Sequence, residues 1–157
     1  MKIKLNAASR LIAAEEKAGR LFHGTDAYEA ILKGGFKPTT GGMYGNGVYF
    51  TEDHDKADFF KKGGKVLEVE LPDTAKFKRF KSEEEYEDFK EEPAVEALTK
   101  KLQKSDSWQD KMAAQDQALN AVLKERGYIG HSVKRSSSEY FVVHDPKDIK
   151  RIFEAEH

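Results

Sequence analysis

The strongest constraint on the fold is how unevenly helix signals are spread along the chain. Residues 82–126 form one long, acidic, helix-patterned block, and short strand-like runs bounded by glycine or proline lie on both sides of it. Strands gathered at the two ends of a sequence do not give the regular βαβ alternation that a parallel sheet needs, so the fold class is α+β. With 157 residues the chain closes one core, not two, and a single domain over 1–157 is expected. Charged residues reach 35%, yet 10 Phe and 6 Tyr supply enough apolar area for that core, which argues for a globular chain and not a disordered one.

The charge balance and the missing cysteine then remove whole classes of function. Lys and Arg (27) nearly cancel Asp and Glu (28), so no net field favours nucleic acid or anionic lipid. The chain has no cysteine, which removes disulfides, thiolate nucleophiles and thiolate metal ligands, and this fits a cytoplasmic setting. His54, His131 and His144 lack metal-ligand spacing, so no metal is expected. No long apolar segment or small-residue cleavage site is visible near Met1, and neither membrane spanning nor secretion is expected.

Residues 1–19 read as a lead-in, a strand over 2–5 and a helix over 7–19, which can also be a linker from a larger protein. A strand over 20–24 places Leu21 and His23 on one face, and Thr25 or Asp26 can cap the helix that follows to Leu32. A glycine-dense connection over 39–47 leads into a strand at 48–51, and a helix runs to about Lys61. Leu67, Val69 and Leu71 alternate with Glu68 and Glu70 in a half-buried strand. Within the helical block Ser82 opens a capping box, Pro93 suits a first turn, and Ser105 or Asp106 caps a third helix. Trp108, Met112, Leu119, Val122 and Leu123 form the apolar stripe of that helix. Strands over 128–133, 138–144 and 149–153 complete the chain, and the run 83–92 reads as a solvated acidic face.

Three segments carry candidate chemistry: Leu21-Phe22-His23-Gly24-Thr25, Gly45-Asn46-Gly47-Val48-Tyr49-Phe50, and Ser138-Glu139-Tyr140-Phe141-Val142-Val143-His144-Asp145-Pro146. Gly45 and Gly47 do not form a dinucleotide fingerprint. The third glycine of that pattern would fall at Phe50, and the segment precedes a strand when it should follow one. Taken in order, the three segments resemble the ADP-ribosyltransferase superfamily, in the histidine-tyrosine-glutamate branch of poly(ADP-ribose) polymerases and diphtheria-toxin-like enzymes. The matches are a His-Gly pair at His23-Gly24, a Gly-x-Gly-x-Tyr-Phe segment at Gly45 to Phe50, and a Glu-Tyr followed by an apolar strand and Asp-Pro at Glu139 to Pro146. The opening Lys4 to Arg10, the turn Gly127 to Gly130 and the ending Asp145 to Lys150 also look like such domains carried by bacteriophages.

The resemblance implies an ADP-ribosyltransferase-like fold with split mixed or antiparallel sheets and flanking helices. It also implies NAD+ as cosubstrate, release of nicotinamide, and a macromolecular acceptor that is a protein, of the host if the domain is phage-encoded; a nucleic-acid acceptor stays open. Cleaving the nicotinamide–ribose bond develops positive charge on the sugar, which a nearby carboxylate stabilises, and Glu139 is the candidate. By implication His23 holds a ribose hydroxyl, the Gly24 backbone grips the nicotinamide amide, and Tyr49 stacks on its ring. Catalytic residues are then Glu139, His23 and Tyr49, with Thr25, Gly45, Gly47, Phe50 and Phe60 joining His23, Gly24 and Tyr49 in binding NAD+. Two positions depart from the polymerase pattern, since Ala57 and Phe60 stand where a serine and a second stacking tyrosine are usual. The polymerases' arrangement for chain elongation is not visible in the sequence, which favours transfer of a single ADP-ribose. Ser137 stands where arginine-specific relatives carry another acid, which disfavours arginine as the acceptor. NAD+ hydrolysis and a catalytically inactive NAD- or ADP-ribose-binding or phage structural module are the alternatives.

Overall fold

The computed structural model describes residues 19–61 and 63–155. The expected strand over 2–5 and most of the helix over 7–19 lie outside the described residues. In chain order the elements are β1 (Leu21–Thr25), α1 (Tyr28–Gly34), β2 (Thr39–Gly42), β3 (Gly45–Thr51), α2 (His54–Phe60), β4 (Lys65–Glu70) and β5 (Phe77–Phe80). They continue with α3 (Glu83–Lys90), α4 (Pro93–Leu102), α5 (Trp108–Glu125), β6 (Gly130–Arg135), β7 (Ser138–Val143), a 3-10 turn (Pro146–Asp148) and β8 (Arg151–Glu154).

The strands follow the path β5-β6-β7-β3-β1-β4-β8, with β2 paired to β3, in a mixed α+β arrangement. β5 and β6 run parallel and all other pairs are antiparallel. The ladder is not equally tight throughout. β3 and β1 are registered only where Phe22 faces Thr51, whereas β1 matches β4 from Leu21 to Thr25 and β3 matches β7 from Val48 to Thr51. Past Phe22 the edge of β1 that faces β3 is therefore left open, and this divergence positions the candidate site.

Side-chain alternation divides the core between the sheet faces. Leu21, Val48, Phe50, Leu67, Phe77, Phe141 and Val143 pack with Ile31 and Phe36 on one face. On the other, Phe80, Val133 and Val142 pack against Tyr86, Val95, Leu119, Val122 and Leu123 of the helical block. A smaller cluster of Phe22, Ala57 and Val66 seats α2 on β1 and β4. Burying each large apolar side chain contributes about 1.5–3 kcal/mol, so these clusters outweigh any surface ion pair.

Several boundaries differ from the sequence reading for local physical reasons. Ser107, and not Ser105 or Asp106, caps α5 by accepting from the Asp110 amide. Ser105 shapes the approach instead, its hydroxyl accepting from the Ser107 amide and donating to Asp110 Oδ2 at 2.6 Å. Trp108, the first residue of α5, lies ahead of the turn where the stripe meets the sheet and is 69% exposed, so the stripe is Ala114, Ala118, Leu119, Val122 and Leu123. Ala27, and not Thr25 or Asp26, precedes α1, while the Thr25 hydroxyl accepts from the Ala27 amide at 2.9 Å. The glycine-dense stretch before residue 48 is itself a hairpin, β2 with the start of β3. β5, whose residues the sequence pattern leaves unassigned, is a full strand of the sheet. The Ser82 cap and Pro93 at the start of α4 are as expected.

Candidate active site

β1 and β3 diverge around a cleft of about 270 Å3 lined by Phe22, His23 and Gly24 of β1, Tyr49, Phe50 and Thr51 of β3, Ala57 of α2 and Tyr140 of β7. Phe22 and Thr51 also line a second groove of about 600 Å3, which reaches Glu139 and Ser137. The two first segments thus meet at one cleft, and the third borders both spaces through Tyr140 and Glu139.

His23 is packed edge-on against Phe36 and Phe50, with ring centres 5.0 and 5.6 Å away. Its Nδ1 lies 2.7 Å from the Tyr49 carbonyl oxygen. A carbonyl only accepts, so Nδ1 carries the proton. Burial lowers the His23 pKa, and the bond to Tyr49 raises it too little to compensate, so the ring is neutral and Nε2 is a hydrogen-bond acceptor. Gly24 is required by packing: a Cβ there would sit 1.8 Å from the Ala57 carbonyl oxygen, which lets α2 lie directly on β1. Ala57 is itself only 1% exposed, so the position that departs from the polymerase serine serves this contact.

The Tyr49 hydroxyl donates to the Gly45 carbonyl at 2.7 Å and accepts from the Tyr44 amide at 2.8 Å. Burial raises its pKa to about 12, so it stays a neutral phenol. The hydroxyl clasps the β2–β3 turn and leaves the ring to line the cleft. Gly45 and Gly47 lie along this hairpin and not on the cleft lining. Gly45 has φ +90° and faces Tyr86 and Asp116, and a Cβ at Gly47 would collide with Val142 and the Val143 carbonyl. Thr25 also lies off the cleft lining, at its capping bond. Phe60 ends α2, and its side chain lies outside the described residues.

Glu139, at the start of β7, shares a face with Phe141 as strand alternation predicts. Its Oε2 accepts from Arg79 Nε at 2.9 Å and from the Ser132 hydroxyl at 2.5 Å, and its Oε1 accepts from Arg79 Nη2 at 2.7 Å. Arg79 Nη2 also reaches Glu52 Oε1 at 3.1 Å, and the guanidinium lies 5.2 Å from the centre of the Phe141 ring. Burial pushes the Glu139 carboxyl up, but the hydrogen bonds from Arg79 and Ser132, with the charges of Arg79 and Lys134, outweigh it and hold the group below the usual carboxylate range. Glu139 is therefore ionised at neutral pH.

As site residues, Arg79, Ser132 and Glu52 are absent from the sequence reading, in which Glu52 with Asp53 only favours the start of the helix to about Lys61. Phe77 and Phe80 are both buried, on opposite faces, so β5 shows no alternation that would mark Arg79 as inward-facing. The contact between buried His131 and half-buried His144 is likewise invisible in their spacing. Among the described residues, no group of three or more His, Cys, Asp or Glu side chains could hold a metal ion, and no helix is long and apolar enough to cross a membrane.

Residues 17–156 match the family described as ADP-ribosyltransferase in polyvalent proteins. No curated protein matches the chain. Among solved structures, the crystal structure of an anti-CRISPR protein aligns over 87% of this chain and 95% of its own length, with 16% sequence identity and a TM-score of 0.39.

Proposed function

Since the chain belongs to the family of ADP-ribosyltransferases in polyvalent proteins, we propose that it transfers a single ADP-ribose from NAD+ to a macromolecular acceptor, a protein, and releases nicotinamide. The observation that carries this reading is the convergence of His23, Gly24 and Tyr49 on one cleft whose neighbouring groove ends at an ionised Glu139. The donor set suits the nicotinamide riboside end of NAD+. Neutral His23 offers Nε2 to a ribose hydroxyl, Phe22, Tyr49 and Tyr140 offer aromatic surface to a planar ring, and the open edge of β1 at Gly24 offers backbone groups to a carboxamide. The cleft volume is small for a whole dinucleotide and leaves the adenosine end to lie outside it.

In the reaction, the bond between ribose C1′ and the nicotinamide nitrogen breaks and its electron pair leaves with nicotinamide. Glu139 stabilises the positive charge that develops on the sugar. A lone pair of the acceptor then closes on C1′, and Glu139 takes the proton the acceptor loses. The reaction site is assigned to the cytoplasm, that of the host if the chain is phage-encoded.

The test is incubation with NAD+ labelled in its adenosine part and a bacterial lysate, comparing wild type with Glu139→Gln. A labelled protein band that the variant loses is the expected result. Free ADP-ribose with no band replaces transfer by hydrolysis, and absence of nicotinamide release in every condition overturns both.

A further inference from the structure

Glu139 does not stand alone: it is one end of a row of charges, Glu52–Arg79–Glu139, contributed by the end of β3, β5 and β7. Each carboxylate oxygen accepts about two strong hydrogen bonds. On Glu139, Oε2 has both taken, by Arg79 Nε and the Ser132 hydroxyl, while Oε1 has only Arg79 Nη2. The bound geometry therefore leaves one accepting direction on Oε1 and fixes where it points. A guanidinium paired to a catalytic carboxylate would ordinarily cancel the charge that an oxocarbenium-like sugar needs. Here Nη2 of the same guanidinium also reaches Glu52, so two carboxylates share one cation and the row keeps a net negative charge.

We propose that Arg79 is a positioning residue of the transferase site and that Glu52 is its counterweight: Arg79 fixes and ionises the Glu139 carboxylate, and Glu52 prevents that fixation from neutralising it. The proposal rests on the transferase reading above. Arg79 is restrained independently by the Phe141 ring beneath it, which suits a fixed support more than a mobile side chain. Among the described residues, other charged groups around this carboxylate are Lys134, paired across β6 and β7, and Arg20, Asp53, His54 and Lys56 along the groove. Lys56 is bonded to the Ser138 hydroxyl and Arg20 to Glu68.

The sign of each perturbation follows from this row. Removing Arg79 leaves burial as the dominant influence on Glu139, so its carboxyl titrates at higher pH. Removing the Glu52 charge takes one competing carboxylate from Arg79 and one negative charge from beside Glu139, so the Glu139 carboxyl titrates at lower pH, yet the sugar meets less negative charge. In NAD+ cleavage assays, Arg79→Met is expected to lower kcat on the order of 100-fold with little change in KM for NAD+, because a misplaced catalytic group costs that much. Its acidic limb should move to higher pH, and Arg79→Lys should recover part of the rate. Glu52→Gln should also lower kcat, with the acidic limb moving the other way. Folding of each variant is checked by circular dichroism, and the Glu139 carboxyl is titrated directly by carbon NMR, which needs no activity. An active wild type with Arg79→Met unchanged in kcat and pH profile overturns the role of Arg79 alone. An Arg79→Met variant that fails to fold leaves Glu52→Gln to decide, and a Glu52→Gln limb that stays in place overturns the shared-cation arrangement. A wild type that never releases nicotinamide overturns the transferase reading itself, and the role of Arg79 falls with it.

Discussion

At the scale of single residues, His23 shows how a ring's hydrogen bond decides its role. Nδ1 is committed to the Tyr49 carbonyl, and burial keeps the ring neutral, so only Nε2 can meet a ligand, and only as an acceptor. His23→Phe keeps the ring packing against Phe36 and Phe50 and removes both nitrogens. The loss of one hydrogen bond to a ligand hydroxyl predicts NAD+ binding about tenfold weaker, since one such bond contributes about 1–1.5 kcal/mol. Calorimetry reads this directly, and an unchanged affinity removes His23 from the site. Glu139→Gln behaves differently, because it alters charge and not shape: NAD+ affinity should stay within a few-fold of wild type while turnover falls by two orders of magnitude or more, roughly the cost of losing one electrostatic stabiliser. A parallel collapse of affinity and turnover would make Glu139 a binding residue instead. The segments that hold His23, Tyr49 and Glu139 were legible in the sequence as a family resemblance, carried by their order and joint pattern. Arg79 was not, because its strand offers Phe77 and Phe80 to opposite faces and pairs with β6 from a distant part of the chain.

At the scale of elements, what positions the site is the contact of α2 with β1. Ala57 is buried, and its carbonyl occupies the space where a side chain at Gly24 would be. Gly24→Ala is therefore expected to push α2 off the strand. Overpacking of this kind costs about 1–3 kcal/mol, and a shift of the melting temperature by several degrees in a domain of this size would report it. A melting temperature equal to wild type would mean that α2 moves without cost and that Gly24 is there for the ligand alone. The sequence gives one reason for the glycine, its backbone's approach to a ligand, and the placement of α2 supplies a second. The alternating strand β4, the Ser82-capped helix α3 and helix α4 with Pro93 in its first turn were legible because their signals are local. The β2–β3 hairpin was read as a loop because its glycines look like a connection, whereas the bond from the Tyr49 hydroxyl back to Gly45 makes it ordered structure.

At the scale of the whole molecule, the sheet, the β2–β3 turn and the helical block meet at a pair of histidines, His131 buried and His144 half-buried. His131 Nε2 lies 2.7 Å from the Tyr44 carbonyl and so must donate, which leaves Nδ1 of the neutral ring as an acceptor. That Nδ1 lies 2.6 Å from His144 Nε2, so His144 is the donor and its own Nδ1 is buried with no hydrogen-bond partner among the described residues. The His131 ring stacks on Tyr86 of α3, with planes 12° apart. Burial lowers both pKa values, that of His131 to about 4 and that of His144 well below 6.5. A proton on either ring would add charge to the core, and a second donor on His131 would face the His144 N–H. The sign follows from proton linkage. In the unfolded chain each histidine takes up a proton as pH falls through about 6.5, while folded His131 resists until about 4 and folded His144 also resists, so the stability is fully present above 6.5 and is lost as pH falls below it. Glu139 loses its stabilising pairs as pH falls from the ordinary carboxylate range through its lowered pKa, and the raised carboxyl of Asp116 acts in the opposite direction. For His131 alone the loss between pH 7 and pH 4.5 is about 2–3 kcal/mol, a fall of several degrees in melting temperature for a chain of this length. Melting followed by circular dichroism across that range should show the fall, and His144→Leu should make it shallower by removing one of the two titrating rings. A melting temperature that stays level from pH 7 to pH 4.5 would mean that the rings are open to water. Because Tyr44 joins the pair to the turn that Tyr49 clasps, the same acid transition is expected to loosen the cleft, and NAD+ affinity should fall along with the melting temperature.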